Sequence, residues 1–242
     1  MAKLEERVVF CNLSRRKPDI NISPERLNHF PCDLSRAADV ERAAGEVEAW
    51  LRRERPVGRV LLINNSGFGS YGRFPEPNLA HQLEMLDVNV RALVQLTGLL
   101  LPLLRERGGV VMNIASTAAF QPTAFMATYG ASKAFVLNWS LALNEELRGT
   151  NVRTLVVCPG ATSTEFYLRA GLKKGSVAKS LSMETEEVIM ISLRALAAGR
   201  AQIVTGWKNK LTALAGSLPS RPLAARMSAK VLARFRLKQV SR

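Results

Sequence analysis

Six short apolar runs recur along the chain with room for a helix between most of them: Arg7 to Leu13, Leu27 to Cys32, Arg59 to Asn64, Val110 to Ala115, Val152 to Val157 and Ala201 to Thr205. Strand-like runs alternating with helical patterns predict a doubly wound parallel sheet of the α/β class. Ser35 is placed to cap a helix over Arg36 to Arg53, in which Val40, Ala43, Ala44 and Val47 repeat at helical spacing. A chain of 242 residues can bury one sizeable core, and its 47% hydrophobic content is ordinary for a globular protein. The longest apolar stretch, Ala92 to Leu104, is interrupted by Gln95, Thr97, Gly98 and Pro102. It is shorter than the ~20 residues that span a bilayer, so no transmembrane helix is expected. The N-terminus lacks the basic, apolar and small-residue order of a signal peptide.

Cysteines and histidines narrow the chemistry. Cys11, Cys32 and Cys158 are widely spaced and mostly within strand-like runs, so neither a disulfide framework nor a zinc site is expected. They read as small buried residues in a reducing cytoplasm. His29 and His81 have no acidic or cysteine cluster beside them in sequence, and no metal is expected.

The polar residues that stand out are Asn89, Ser116, Tyr129 and Lys133. Tyr129 and Lys133 are four apart in an amphipathic helical pattern and so share one helix face. A cation at that distance favours phenolate and would lower the pKa of Tyr129 from its usual value near ~10. A tyrosine tuned this way can exchange a proton with a carbonyl or alcohol oxygen near neutral pH. Ser116 ends the run that begins at Val110, which places its hydroxyl at the carboxyl edge of a parallel sheet, where open α/β sheets bind ligands.

The segments Leu62 to Gly67, Asp87 to Val90, Asn113 to Ser116, Tyr129 to Lys133 and Cys158-Pro159-Gly160 occur in the order and at the spacings of the short-chain dehydrogenase/reductase family. The chain resembles that family from about Arg7 to Trp207. The resemblance implies a Rossmann-like doubly wound parallel sheet and a carbonyl–alcohol oxidoreductase using NAD or NADP. By the same resemblance Tyr129 is the acid/base and Ser116 polarises the substrate oxygen. Lys133 and Asn89 return the proton through the cofactor ribose and a water. Cofactor contacts are implied for Asn65, Ser66 and Gly67, for Asp33 and Leu34 at the adenine, and for Pro159, Gly160 and Thr164 at the nicotinamide. The basic end of the second family strand, Ser14-Arg15-Arg16-Lys17, favours NADP over NAD, the alternative being a basic loop on a basic protein. Bacterial family members similar at Asn64 to Gly69 and Ala115 to Pro122 are mostly of unassigned substrate. The apolar segment Phe166 to Leu172 suits a hydrophobic carbonyl.

One part of the family pattern is missing. The first strand and its glycine-rich turn, which would open a helix onto the cofactor pyrophosphate, have no match. Ala2 to Glu6 read as the end of that first helix. The interval from Ser14 to Asn28 is too short to supply it, since a βαβ unit needs about 30 residues. Gly67-Phe68-Gly69-Ser70-Tyr71-Gly72 satisfies G-x-G-x-x-G but runs on into Arg73-Phe74-Pro75-Glu76-Pro77-Asn78, and reads as a loop near the substrate. In the family's strand order the absent strand is central, so a gap is expected between the strands at Arg7 to Leu13 and Arg59 to Asn64. Unpaired backbone there is costly. The chain is therefore expected to be unstable, rearranged, or part of a longer protein whose start codon lies upstream; the last is favoured.

Charge is uneven. The net charge is +14, and beyond Glu187 there are eleven Lys and Arg and no acidic residue. Trp207 to Lys210 read as a loop and Leu211 to Leu218 as an apolar segment. Arg226, Lys230, Arg234 and Lys238 flank Met227, Val231 and Phe235 in a basic amphipathic helix, so residues 208–242 form an extension to a domain of residues 1–207. The extension packs on the domain or another subunit, or lies on an anionic membrane. No motif for nucleic-acid binding accompanies the charge. The expected partners are a small carbonyl or alcohol substrate, a second copy in a homo-oligomer, and membrane contact through the C-terminus. Two functions remain open: an NADP-dependent reductase in the cytoplasm, and an inactive family-like protein acting by binding or at a membrane.

Overall fold

The computed structural model describes residues 8–20, 22–163, 166, 170–172 and 182–240, with the side chains of 24 and 235–240 left out. Ala2 to Glu6, Thr164 and the side chains of Phe235 and Lys238 therefore lie outside the described residues. Strands form at all six expected runs: β1 (Phe10–Ser14), β2 (Leu27–Pro31), β3 (Val60–Asn64), β4 (Gly109–Ile114), β5 (Val152–Cys158) and β6 (Gln202–Val204). The helices are α1 (Ala37–Glu54), α2 (Leu79–Leu86), α3 (Ala92–Arg107), α4 (Ala127–Glu146), α5 (Thr185–Ala197), α6 (Trp207–Ser217) and α7 (Arg221–Val240).

Every pairing between these strands is parallel, and the sheet is in two pieces. β1 pairs with β2 from Phe10 opposite Leu27 to Ser14 opposite Pro31. β3, β4, β5 and β6 pair in that order, with Val60 opposite Gly109 and Met112 opposite Leu155. No strand pairs β1 with β3 among the described residues, and Phe10, Leu61 and Ile63 on these strands are exposed. The gap thus falls at the expected place.

Helices hold the two pieces together. Val40, Ala43, Ala44 and Val47 of α1 and Ala92, Leu96 and Leu100 of α3 form one buried cluster that takes in Cys11 and Leu13 of β1, Phe30 of β2 and Leu62 of β3. Arg91 adds a polar tie, donating from Nη2 to the Ser35 carbonyl at 2.8 Å while its Nε meets Asp87 at 2.7 Å.

Two local expectations fail. α1 starts at Ala37 behind Arg36, with no side-chain cap, because the Ser35 hydroxyl donates to Asp33 Oδ1 at 2.7 Å. Trp207 to Lys210 begin helix α6 and are no loop. A third feature was not foreseen: α2, a π turn at Asp87–Arg91 and α3 run on as one helix of 29 residues, apolar enough by composition to cross a membrane. Ala92, Leu93, Leu96, Leu100, Leu103 and Leu104 of that helix lie buried in the core, while Leu79, Leu83, Leu86 and Leu99 are exposed.

A buried polar network locks the larger piece of sheet to its helices. Asn64 Nδ2 donates to Asn113 Oδ1 (2.8 Å) and Thr97 Oγ1 (3.1 Å), and Asn113 Nδ2 donates to Ser140 Oγ (2.8 Å). These four residues come from β3, β4, α3 and α4. Asn113→Ala removes two buried hydrogen bonds and leaves a small void, so unfolding in urea is expected to show a loss of about 2–3 kcal/mol. A loss within error would mean the network contributes nothing.

Candidate active site

The carboxyl ends of β4 and β5 and the first turns of α4 converge on one cleft. Two residues beyond β4, Ser116 has extended backbone, and its Oγ accepts from the Ala118 amide at 3.1 Å, capping the short turn Thr117–Phe120. The Thr117 amide donates to the Pro159 carbonyl at 2.8 Å, which fixes this turn to the loop after β5. A hydroxyl that accepts one bond keeps its proton to donate.

Tyr129, Gly130, Ser132 and Lys133 are all buried on α4. A Cβ at Gly130 would lie 1.7 Å from Thr123 Oγ1, so only glycine lets the helix pack this closely on the preceding loop. The Tyr129 ring packs against Phe166, centroids 5.1 Å apart. Lys133 Nζ donates to the Ile114 carbonyl at 2.7 Å and lies 6.0 Å from the Tyr129 ring centroid. Burial pushes Lys133 down to about 8, opposed only by the charge Cys158 would carry as a thiolate, and burial pushes the Cys158 thiol itself up to about 12. At neutral pH Lys133 is therefore still an ammonium.

Asn89 sits behind these groups in the π turn. Its amide donates to the Phe68 carbonyl (2.9 Å) and Ser132 Oγ (3.1 Å), and its Oδ1 accepts from the Phe68 amide (3.0 Å). Both N–H donors are thus engaged in bracing the loop after β3 against α4. Gly67 is in the same contact, since a Cβ there would meet Asn89 Oδ1 at 3.0 Å and Lys133 Nζ at 3.3 Å.

The cleft, about 1400 Å³, is lined by Asn65, Gly67, Ser116, Tyr129, Lys133, Pro159 and Gly160. It reaches Cys11 and Asn12 of β1 and Ile63 of β3, and so opens onto the gap in the sheet. The other expected cofactor residues, Ser14, Arg15, Asp33, Leu34 and Ser66, are not among its lining residues. Asp33 Oδ1 accepts from the hydroxyl and amide of Ser35, and these bonds, helped by Arg15 and Arg36, hold its carboxyl below the usual range. Leu34 packs into the cluster under β1. Ser14 Oγ lies 2.7 Å from Asn12 Oδ1 and 2.6 Å from the Arg16 carbonyl.

Sequence reasoning missed the wall made by α6 and α7. Gly216 lies against Gln121, the Tyr71 hydroxyl donates to the Leu232 carbonyl at 2.6 Å, and the Ala124 amide donates to Ser228 Oγ at 3.2 Å. Lys208, Thr212, Met227 and Leu232 line the cleft with Phe166 and Leu172. The spacing Trp207, Leu211, Leu214, Leu218 is the helical signal that would have found α6.

A model of the short chain dehydrogenases matches residues 2–200, and the chain belongs to that family. A short-chain dehydrogenase from Sphingobium yanoikuyae, solved with NADPH, is 30% identical with a TM-score of 0.65, over 89% of this chain and 76% of that one. One from Burkholderia cenocepacia, solved with NADP, is 25% identical with a TM-score of 0.73, over 93% and 89%. By sequence, the ketoacyl reductase HetN of a Nostoc species is 44% identical over 104 residues, 43% of this chain and 36% of the relative. The chain spans less than two thirds of the length of the curated relatives it matches first.

Proposed function

We propose that this chain is an NADP-dependent reductase acting on a hydrophobic ketone or aldehyde, in the cytoplasm and as a homo-oligomer. The observation that carries the reading is the buried Lys133 ammonium 6.0 Å from the Tyr129 ring centroid, in a cleft that Ser116 also lines. Tyr129 donates a proton to the substrate oxygen, and Ser116 donates a hydrogen bond to the same oxygen. Lys133 attracts the negative charge that the tyrosine oxygen carries once its proton has left. Asn89 acts as a positioning residue through Phe68 and Ser132. The nicotinamide, when bound, supplies the hydride. Phe166 and Leu172 give the apolar side of the pocket.

The residues present fit the nicotinamide end of such a cofactor, with Lys133 as donor and Pro159 and Gly160 beside it. The pyrophosphate end is different: among the described residues no glycine-rich turn opens a helix beside β1. The second reading is a family-like protein that acts by binding or at a membrane without hydride transfer.

NADPH and NADH titrations read by tryptophan fluorescence, together with reduction of an apolar ketone, separate the two. NADPH is expected to bind at least about tenfold more tightly than NADH, with Arg15→Glu/Arg16→Glu abolishing the difference, since each guanidinium contributes a charge-assisted contact to the extra phosphate. Equal affinities would remove the NADP assignment. Binding of neither would leave the second reading.

A further inference from the structure

We infer that α6 is a docking surface for an anionic lipid bilayer, a property separate from the reductase reading and independent of it. Trp207, Leu211, Leu214 and Leu218 follow one another at four-, three- and four-residue steps and so form a single stripe along the helix. All four are exposed, at 68%, 57%, 57% and 75%. The opposite face is the one that packs: Ala213 and Gly216 are buried, and Asn209 Nδ2 donates to the Thr205 carbonyl at 2.7 Å. The helix is therefore held by its small residues and turns its largest apolar side chains to solvent. A core helix does the reverse.

The charges around the stripe choose its occupant. Lys208 and Lys210 stand on either side of it, Lys208 leaning over the Trp207 ring at 5.8 Å, and the exposed Leu223 and Arg221 follow at the start of α7. Beyond Glu187 the chain has eleven cations and no carboxylate. A two-fold contact across this stripe would set each copy's lysines against a partner surface built from the same cationic segment. A bilayer with anionic headgroups instead receives the apolar row in its acyl boundary and the lysines at its phosphates. Tryptophan is well suited to the headgroup level, being apolar in body with one N–H donor.

Co-sedimentation with phosphatidylglycerol–phosphatidylcholine vesicles tests this, with pure phosphatidylcholine as the comparison. Binding to the mixed vesicles is expected, weakening as salt is raised, with a blue shift of Trp207 emission. Lys208→Glu/Lys210→Glu should lower the partition coefficient by roughly 30-fold, at about a factor of five for each cation near the surface. Leu211→Ser/Leu214→Ser should lower it at least about tenfold by removing inserted apolar area. All four side chains are exposed, so circular dichroism should be unchanged. Equal sedimentation with the two vesicle types, or none with either, would overturn the inference. So would a concentration-dependent dimer that Leu211→Ser/Leu214→Ser dissociates, which would make a second copy the occupant.

Discussion

Tyr129→Phe is expected to slow reduction by about 10²–10⁴-fold, the usual contribution of a positioned general acid, equal to roughly 3–5 kcal/mol of transition-state stabilisation. The ring is buried and packs on Phe166 at 5.1 Å, and phenylalanine keeps that contact. Stability should therefore change by no more than about 1 kcal/mol, and NADPH affinity by no more than about threefold. A group that acts only as the carbonyl is reduced lowers kcat and kcat/KM together, and that is the signature to look for in steady-state kinetics. If turnover survives in the variant, the acid is not Tyr129 and the arrangement of Lys133 and Ser116 around it has another purpose. If turnover and NADPH binding are both lost while the fold persists, Tyr129 belongs to binding and the proton comes from elsewhere.

The strands were legible because β4 and β5 are buried almost throughout and read as continuous apolar runs, which few other structures tolerate. The gap was legible for a related reason: removing one central strand from a known order leaves two edges whose places are fixed by what remains. The grouping of Ser116, Tyr129 and Lys133 followed from one strand end and one helix face, both local properties. The start of α1 was not legible, because Ser35 could cap the helix or bond Asp33, and only the folded turn decides between them. The roof of the cleft was harder still. The bond from Tyr71 to Leu232 joins residues 161 apart, and no local pattern encodes it. The opening of α6 misled because Trp207-Lys208-Asn209-Lys210 is polar in the way loops are, while its apolar stripe faces outward and its packed face is made of small residues.

Lys133→Met should separate stability from activity. In the fold Lys133 titrates at about 8 against 10.5 for the free side chain, because burial disfavours its ammonium. The unfolded chain therefore binds more protons between those two values, so this residue's contribution to stability rises with pH across that window. Below pH 8 the full penalty stands, about 3 kcal/mol at 1.36 kcal/mol per pKa unit. Methionine has no such penalty, though it also forfeits the bond to the Ile114 carbonyl at 2.7 Å. The lost bond makes the absolute difference at one pH ambiguous, and the change with pH is the cleaner quantity. Unfolding free energies measured at pH 7 and pH 10 should move in favour of the wild type by about 2–3 kcal/mol between the two. The variant should lose turnover at every pH, and wild-type turnover should fall as pH rises past about 8, where the ammonium goes. A pH-independent stability difference would mean that Lys133 is hydrated in solution. The reductase reading would then lose the buried cation on which it rests.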